Sequence, residues 1–218
     1  MPTDFAAARL NMVNNQILAN KVNDPLVVAA LSEVSREAFL PKSLHGMAYA
    51  DEDIALGNDR YLIEPMILAR LLQIAAIQPD DVVLDIGCAV GYSSAVLSKL
   101  ASTVVALESD AELVGLANKN LAELGCDNAA VVEGALKDGS VKQGPFDVIV
   151  IAGALRAAPS ELLDQLNDGG RLVTVIDNQG IGKATLFERH GDVTSKREYF
   201  DAQTPFLPGF DEQSGFVF

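Results

Sequence analysis

An acid at the end of an apolar run, followed by two glycines, is the first place in this sequence where chemistry can be read. The stretch is "LDIGCAVGYSS", with Asp85, Gly87 and Gly91 in register and Cys88 inside the turn. A strand that ends in a glycine turn and opens a helix leaves backbone N–H groups facing the crevice beyond the strand ends. That crevice is where ligands bind in open parallel sheets. Glu108 closes the next apolar run, about twenty residues on, where an acid accepts hydrogen bonds from both hydroxyls of a ribose. Ser109 follows it. A dinucleotide fingerprint needs a further glycine so that helix and strand pack closely. Its second and third positions are Ala89 and Tyr92 in this chain, and a tyrosine cannot do what that glycine does.

The spacing suits S-adenosylmethionine better than NAD. That ligand has no pyrophosphate demanding close approach, and its methionine part carries an ammonium and a carboxylate. Asp85 would attract the ammonium, directly or through water, with N–H groups near Gly87 and Gly91 facing the cofactor and Glu108 on the ribose. Cys88 reads as a small packed residue of the turn rather than a nucleophile, since nothing near it in sequence lowers a thiol pKa. After the third strand, "VVEGALKDG" places Gly134-Ala135 where methyltransferases often carry Gly-Asp for the adenine amino group. A side-chain acceptor is missing there, so backbone groups or a nearby acid must substitute, or affinity is lower. The cofactor-binding candidates are therefore Asp85, Gly87, Cys88, Gly91, Glu108, Ser109, Gly134 and Ala135.

These residues need a scaffold, and the periodicity supplies one. "DVVLDIG", "TVVALES", "NAAVVEG", "FDVIVIAG" and "GRLVTVI" are continuous apolar runs, the mark of strands covered on both faces in a parallel sheet with helical crossovers. Helices are expected over Tyr92 to Leu100, over Ala111 to Leu124 and over "PSELLDQL". "KATLFERHGDVTSKREYF" alternates around His190-Gly191-Asp192, a hairpin signal appended to the sheet. Ahead of the sheet lie helices: "TDFAAARLNMVNNQIL" with Thr3 or Asp4 as cap, "NDPLVVAALSEV" with Asp24 as cap and Pro25 in its first turn, a short turn at "SREAFLP", and "PMILARLLQIAAI" opened by Pro65. The acidic segment Asp51 to Asp59 reads as loop. The expectation is one α/β domain over 1–218, with a helical extension and substrate loop at 1–78, a cofactor core at 79–178 and a C-terminal hairpin at 179–218.

Composition narrows the function classes. The 218 residues carry 30 acids against 16 lysines and arginines, a formal charge of −14. A nucleic-acid binder needs a basic face, and no basic run exists. No apolar stretch reaches membrane-spanning length and no signal-peptide pattern opens the chain, so a cytoplasmic protein is expected. Two cysteines and two separated histidines make neither a disulfide framework nor a zinc site.

At this level of detail the sequence resembles the protein-L-isoaspartate (D-aspartate) O-methyltransferases over nearly its whole length. "NDPLVVAALSEVSREAFLPKSLHGMAYADEDIALG" is similar to the family's N-terminal segment, "VLDIGCAVGYSSAVLSKLA" to its cofactor turn and "PFDVIVIAGA" to the strand near its active site. "LLDQLNDGGRLVTVI" resembles its fifth-strand entry and "ATLFERHGDVTSKREYFDAQTPFLPGF" its closing hairpin. The resemblance implies a Rossmann-like class I S-adenosylmethionine-dependent methyltransferase fold: a seven-stranded, mostly parallel sheet with an antiparallel last strand and an N-terminal helical extension. It also implies methyl transfer to the stray carboxylate of isoaspartyl residues in damaged proteins, followed by cyclisation to a succinimide and partial return to aspartate. Isoaspartyl proteins or peptides would be the substrate partners, nucleic acid and membrane would not be, and a monomer is expected.

One loop departs from that pattern. The family carries "Thr-Ile-Ser-x-Pro", whose hydroxyls border cofactor and substrate carboxylate. Aligned on Pro65, this chain has Tyr61-Leu62-Ile63-Glu64-Pro65, with Ile63 at the Ser position and Tyr61 at the Thr position. Methyl transfer from a sulfonium to a carboxylate needs no general base, because the carboxylate is already ionised at pH 7. Positioning, desolvation and electrostatics remain for the enzyme. The catalytic candidates are therefore Arg60, which could clamp a carboxylate in two-pronged fashion, the Tyr61 phenol, and Ile63 as the altered position. Two alternatives stand beside the repair enzyme: the same fold with another acceptor, such as a small metabolite or modified peptide, and a cofactor-binding protein without catalysis.

Overall fold

The computed structural model describes residues 4–178 and 180–210; Thr3, position 179 and positions 211–218 of the expected C-terminal segment lie outside them. Asp4 caps helix α1 (Phe5–Met12) by accepting the Ala7 N–H. The helical run then changes pitch, through a π-helical turn at Val13–Ile17 and a 3₁₀ turn at Leu18–Asn20. The wider i→i+5 turn lets both Met12 and Ile17 reach the core, where each is at most 1% exposed. Helix α2 (Pro25–Glu33) starts as its sequence predicts, with the Asp24 carboxylate accepting the Leu26 and Val27 N–H groups and Pro25 in the first turn. Two 3₁₀ turns, Arg36–Phe39 and Lys42–Met47, follow.

The acidic segment is not all loop. Ile54–Gly57 (β1) and Arg60–Leu62 (β2) pair as an antiparallel hairpin. Its two-residue tip, Asn58-Asp59, has positive φ at both positions, 51° and 53°, the geometry of the type I′ turns that close tight hairpins. Helix α3 (Pro65–Ala75) leaves this hairpin and buries Ile67, Leu68, Leu71 and Leu72 against the sheet.

The sheet is built from β3 (Val82–Ile86), β4 (Thr103–Glu108), β5 (Ala129–Glu133), β6 (Phe146–Leu155), β7 (Leu166–Asn178), β8 (Ile181–His190) and β9 (Val193–Asp201), in spatial order β5-β4-β3-β6-β7-β8-β9. The first five are parallel, and the β7–β8 and β8–β9 pairings are antiparallel. Helices α4 (Tyr92–Leu97), α5 (Ala111–Glu123) and α6 (Ser160–Leu163) lie in the connections. Helices α4 and α6 fall well short of their patterns. Helix α4 ends at Leu97 rather than Leu100, and the α6 segment gives up its last residues to the sheet, where the Gln165 carbonyl accepts the Phe146 N–H and Leu166 pairs with Phe146. The chain moves outward from β3 to β5, then returns to β6 on the other side of β3. That reversal opens a crevice at the carboxyl ends of β3 and β6, the position where such sheets bind ligands.

Candidate active site

Asp85, the last but one residue of β3, is one of two fully buried acids beside the glycine turn. It is 0% exposed, and its Oδ2 accepts the hydroxyls of Ser93 and Ser94, at 2.7 and 2.6 Å. Both serines come from the first turn of α4, so the helix that follows the glycine turn folds back to hold the acid that precedes it. The other oxygen, Oδ1, is buried with no hydrogen-bond partner among the described residues. Burial pushes the Asp85 carboxyl up to about 6; the two serine bonds oppose that shift and the negative charge of Glu108 adds to it. An unpartnered buried carboxylate oxygen is costly, and it is the atom an ammonium group would satisfy.

The turn itself is drawn tight. Gly87 has φ +73°, and a Cβ there would stand 2.7 Å from a methyl carbon of Leu207. Gly91 has φ +91° and caps α4. The N–H groups of Gly87 and Cys88 both donate to the Leu107 carbonyl, which ties the turn to β4. Cys88 is buried, and burial raises its thiol well above its usual range, with Asp85 and Glu108 adding to the shift; it packs rather than reacts. Gly134 and Ala135 follow β5, with the Gly134 N–H on the Glu108 carbonyl, and Ala135 is exposed.

Glu108, at the end of β4, is fully buried and saturated. Its Oε2 accepts the Ala89 N–H at 3.0 Å, and its Oε1 accepts the Ser109 and Asp110 N–H groups at 2.6 and 3.0 Å. Arg60 then closes over it from the hairpin: Nε lies 3.2 and 3.1 Å from the two oxygens, Nη2 lies 2.9 Å from Oε1, and Nη2 also meets the Ser109 hydroxyl at 2.9 Å. Arg60 is only 5% exposed, so it is no solvated loop residue. The two-pronged grip anticipated for it is present, but the carboxylate it grips is that of Glu108.

These residues sit within a chain that matches the family model of the protein-L-isoaspartate(D-aspartate) O-methyltransferases over residues 8–213. The chain belongs to this family. Curated protein-L-isoaspartate O-methyltransferases agree: the one from Methanoregula boonei is 36% identical over 84% of each chain, and the one from Picosynechococcus is 37% identical over 88% of this chain and 86% of its own. Among solved structures, a protein-L-isoaspartate O-methyltransferase matches with a TM-score of 0.81 over 93% of this chain and 67% of its own, at 23% identity. A candidate protein-L-isoaspartate O-methyltransferase from Plasmodium falciparum, in complex with S-adenosyl-L-homocysteine, matches at 0.79 over 95% of this chain and 99% of its own, at 18% identity. At those identities the two structures establish the Rossmann-like class I methyltransferase fold.

Within this O-methyltransferase the departing loop is firmly placed. Ile63 is 4% exposed, and the Arg36 guanidinium donates to its carbonyl at 2.6 Å and to that of Leu62 at 3.3 Å. Arg36 is itself fully buried beneath the loop, with its guanidinium 4.9 Å from the centre of the Tyr92 ring. Tyr61 is 37% exposed. Tyr61 and Ile63 both line the crevice with Gly87 and Ala152. Glu64 precedes α3 without capping it by its side chain; burial and then Asp51 and Asp53 push its carboxyl up to about 7. Sequence reasoning missed Ser93, Ser94, Arg36 and Leu207. The serine pair had a signal, two hydroxyls immediately after the glycine turn. Arg36 and Leu207 had none, because their partners are distant in the chain.

Proposed function

We propose that this protein transfers a methyl group from S-adenosylmethionine to the carboxylate of L-isoaspartyl residues in damaged proteins, the repair reaction of its family. Bound donor supplies the methyl on a sulfonium; the acceptor carboxylate displaces the thioether and becomes an ester. That ester is attacked by the neighbouring backbone nitrogen, methanol leaves, and the succinimide reopens partly to aspartate. The chain's residues bind and orient. Asp85 Oδ1 would take the donor's ammonium, the N–H groups of the Gly87–Gly91 turn would face its methionine part, Glu108 with Ser109 would hold the ribose, and Gly134-Ala135 would border the adenine. Tyr61 and Ile63 wall the acceptor side. The single observation that carries the reading is the unpartnered Oδ1 of Asp85 beside the glycine turn.

A monomer working in the cytoplasm is the accompanying proposal. No helix of the described residues is long and apolar enough to cross a membrane, and the charge of −14 disfavours nucleic acid as acceptor. A second reading keeps the donor and changes the acceptor to a small metabolite or a modified peptide; the observation favouring it is Ile63, an apolar side chain where the family pattern has a hydroxyl. The test is transfer of labelled methyl by purified protein to an isoaspartyl peptide, its aspartyl twin and a blank. Base-labile label on the isoaspartyl peptide alone is expected. Donor binding without that label selects the second reading, and failure to bind donor overturns both.

Asp85 also gives a pH signature. Its carboxyl titrates at about 6 in the fold against 3.8 in a free chain, so the fold prefers the protonated acid. The associated stability is full below the free-chain value and is lost as pH rises through about 6. An ammonium group needs the ionised form. The affinity for S-adenosylhomocysteine, which keeps that ammonium, is expected to be flat above pH 7 and to fall towards about tenfold per unit below about 6. Calorimetry across pH 5–8 measures it; flat affinity down to pH 5 would remove Asp85 from the ammonium site.

A further inference from the structure

Glu108 has more donors than it can serve. A carboxylate offers about four lone-pair sites, and three backbone N–H groups already use Oε1 and Oε2 before the Arg60 fork adds Nε and Nη2. No acceptor capacity remains for ribose hydroxyls. Two small spaces flank the glycine turn, about 20 Å³ beside Tyr92 and about 10 Å³ beside Leu207, each about enough for one water molecule. A second tether holds the hairpin in place, from Asn58 Nδ2 to the Asp110 carboxylate at 2.8 Å. The two tethers run from β2 and its turn to Glu108, the ribose-binding candidate that ends β4, and to Asp110, which caps α5 just beyond it.

We propose that Arg60 is a latch on the cofactor site: its guanidinium occupies Glu108 in place of the ribose, and donor binding requires the β1–β2 hairpin to release β4. The inference rests on the donor-binding reading above and adds to it a closed state that the donor must displace. Arg60 acts in this as a positioning residue, since what it touches is Glu108 and not the reacting atoms. A site whose competent form is a minority binds its ligand more weakly by that fraction. Removing the latch therefore tightens donor binding, the reverse of what loss of a ligand contact does.

The experiment is calorimetric titration of S-adenosylhomocysteine into wild type, Arg60→Ala and Arg60→Lys, with amide hydrogen exchange on the wild type as the second measurement. Arg60→Ala is expected to bind about tenfold more tightly than wild type. Arg60→Lys falls between them, because an ammonium cannot reproduce the fork. On the wild type, ligand is expected to speed exchange over Ile54–Leu62 while slowing it over Gly87–Gly91. Equal or weaker binding by Arg60→Ala overturns the latch and leaves the donor reading intact if wild type still saturates. Binding by Arg60→Ala but not by wild type supports a tighter latch, and binding by neither overturns both proposals. If Arg60→Ala does not fold, exchange decides, and protection of both segments together overturns the latch.

Discussion

Glu108→Gln is expected to lower the free energy of unfolding by about 3–5 kcal/mol, the cost of leaving one member of a buried ion pair without its partner. The geometry places this change at the upper end of single substitutions. Arg60 is 5% exposed and Glu108 is fully buried, so a neutral glutamine strands a guanidinium that water cannot reach. The amide also brings an NH₂ to one of two positions that now accept backbone N–H groups, from Ala89 on one side and from Ser109 and Asp110 on the other. Donor then faces donor whichever way the amide is turned. Urea unfolding of wild type, Glu108→Gln and Arg60→Met/Glu108→Gln separates the contributions. The double variant is expected to recover much of the loss, because removing both charges removes the stranded one while leaving apolar volume behind. A loss below about 1 kcal/mol in the single variant would be the value for a solvent-screened pair and would contradict a closed hairpin.

That pair also marks the limit of what the sequence discloses. Asp85 and Glu108 are legible because strand end, glycine turn and helix start are contiguous, and the two acids follow from a rule about where parallel strands finish. The fold class is legible for the same reason: five apolar runs separated by amphipathic helices admit few arrangements. The union of Arg60 with Glu108 is not legible. The residues lie 48 positions apart and meet only because a hairpin of four- and three-residue strands carries one to the other. Strands that short give no periodicity to read, and their one local sign, Asn58-Asp59 at the tip, lacks the glycine that usually announces such a turn. Leu207 is hidden likewise. It reaches the Gly87 turn because the segment after β9 returns along β6, with the Ala154 N–H on the Pro205 carbonyl and the Leu207 N–H on that of Ala154.

Ile63→Ser is expected to raise kcat/KM on an isoaspartyl peptide about 10- to 100-fold above that of Ile63→Ala, and above wild type. The alanine variant is the proper reference, since both replacements open the same space and differ by one hydroxyl. Ile63 is 4% exposed against the crevice, with its carbonyl fixed by Arg36, so a serine there keeps its backbone and aims its oxygen where the isoleucine side chain stood. A hydrogen bond to a charged group contributes about 1.5–3 kcal/mol, and each 1.36 kcal/mol felt in the transition state is about tenfold in rate. The truncation has its own cost, about 2–5 kcal/mol of stability for a large buried aliphatic cut to a small residue, and thermal melts of both variants measure it. Equal rates for the serine and alanine variants would mean that the acceptor carboxylate is held without a hydroxyl at this position. Tyr61, exposed at the crevice mouth, or Arg60 once released from Glu108, would then carry that contact, and the altered loop would be a different solution to gripping a carboxylate rather than a weaker one.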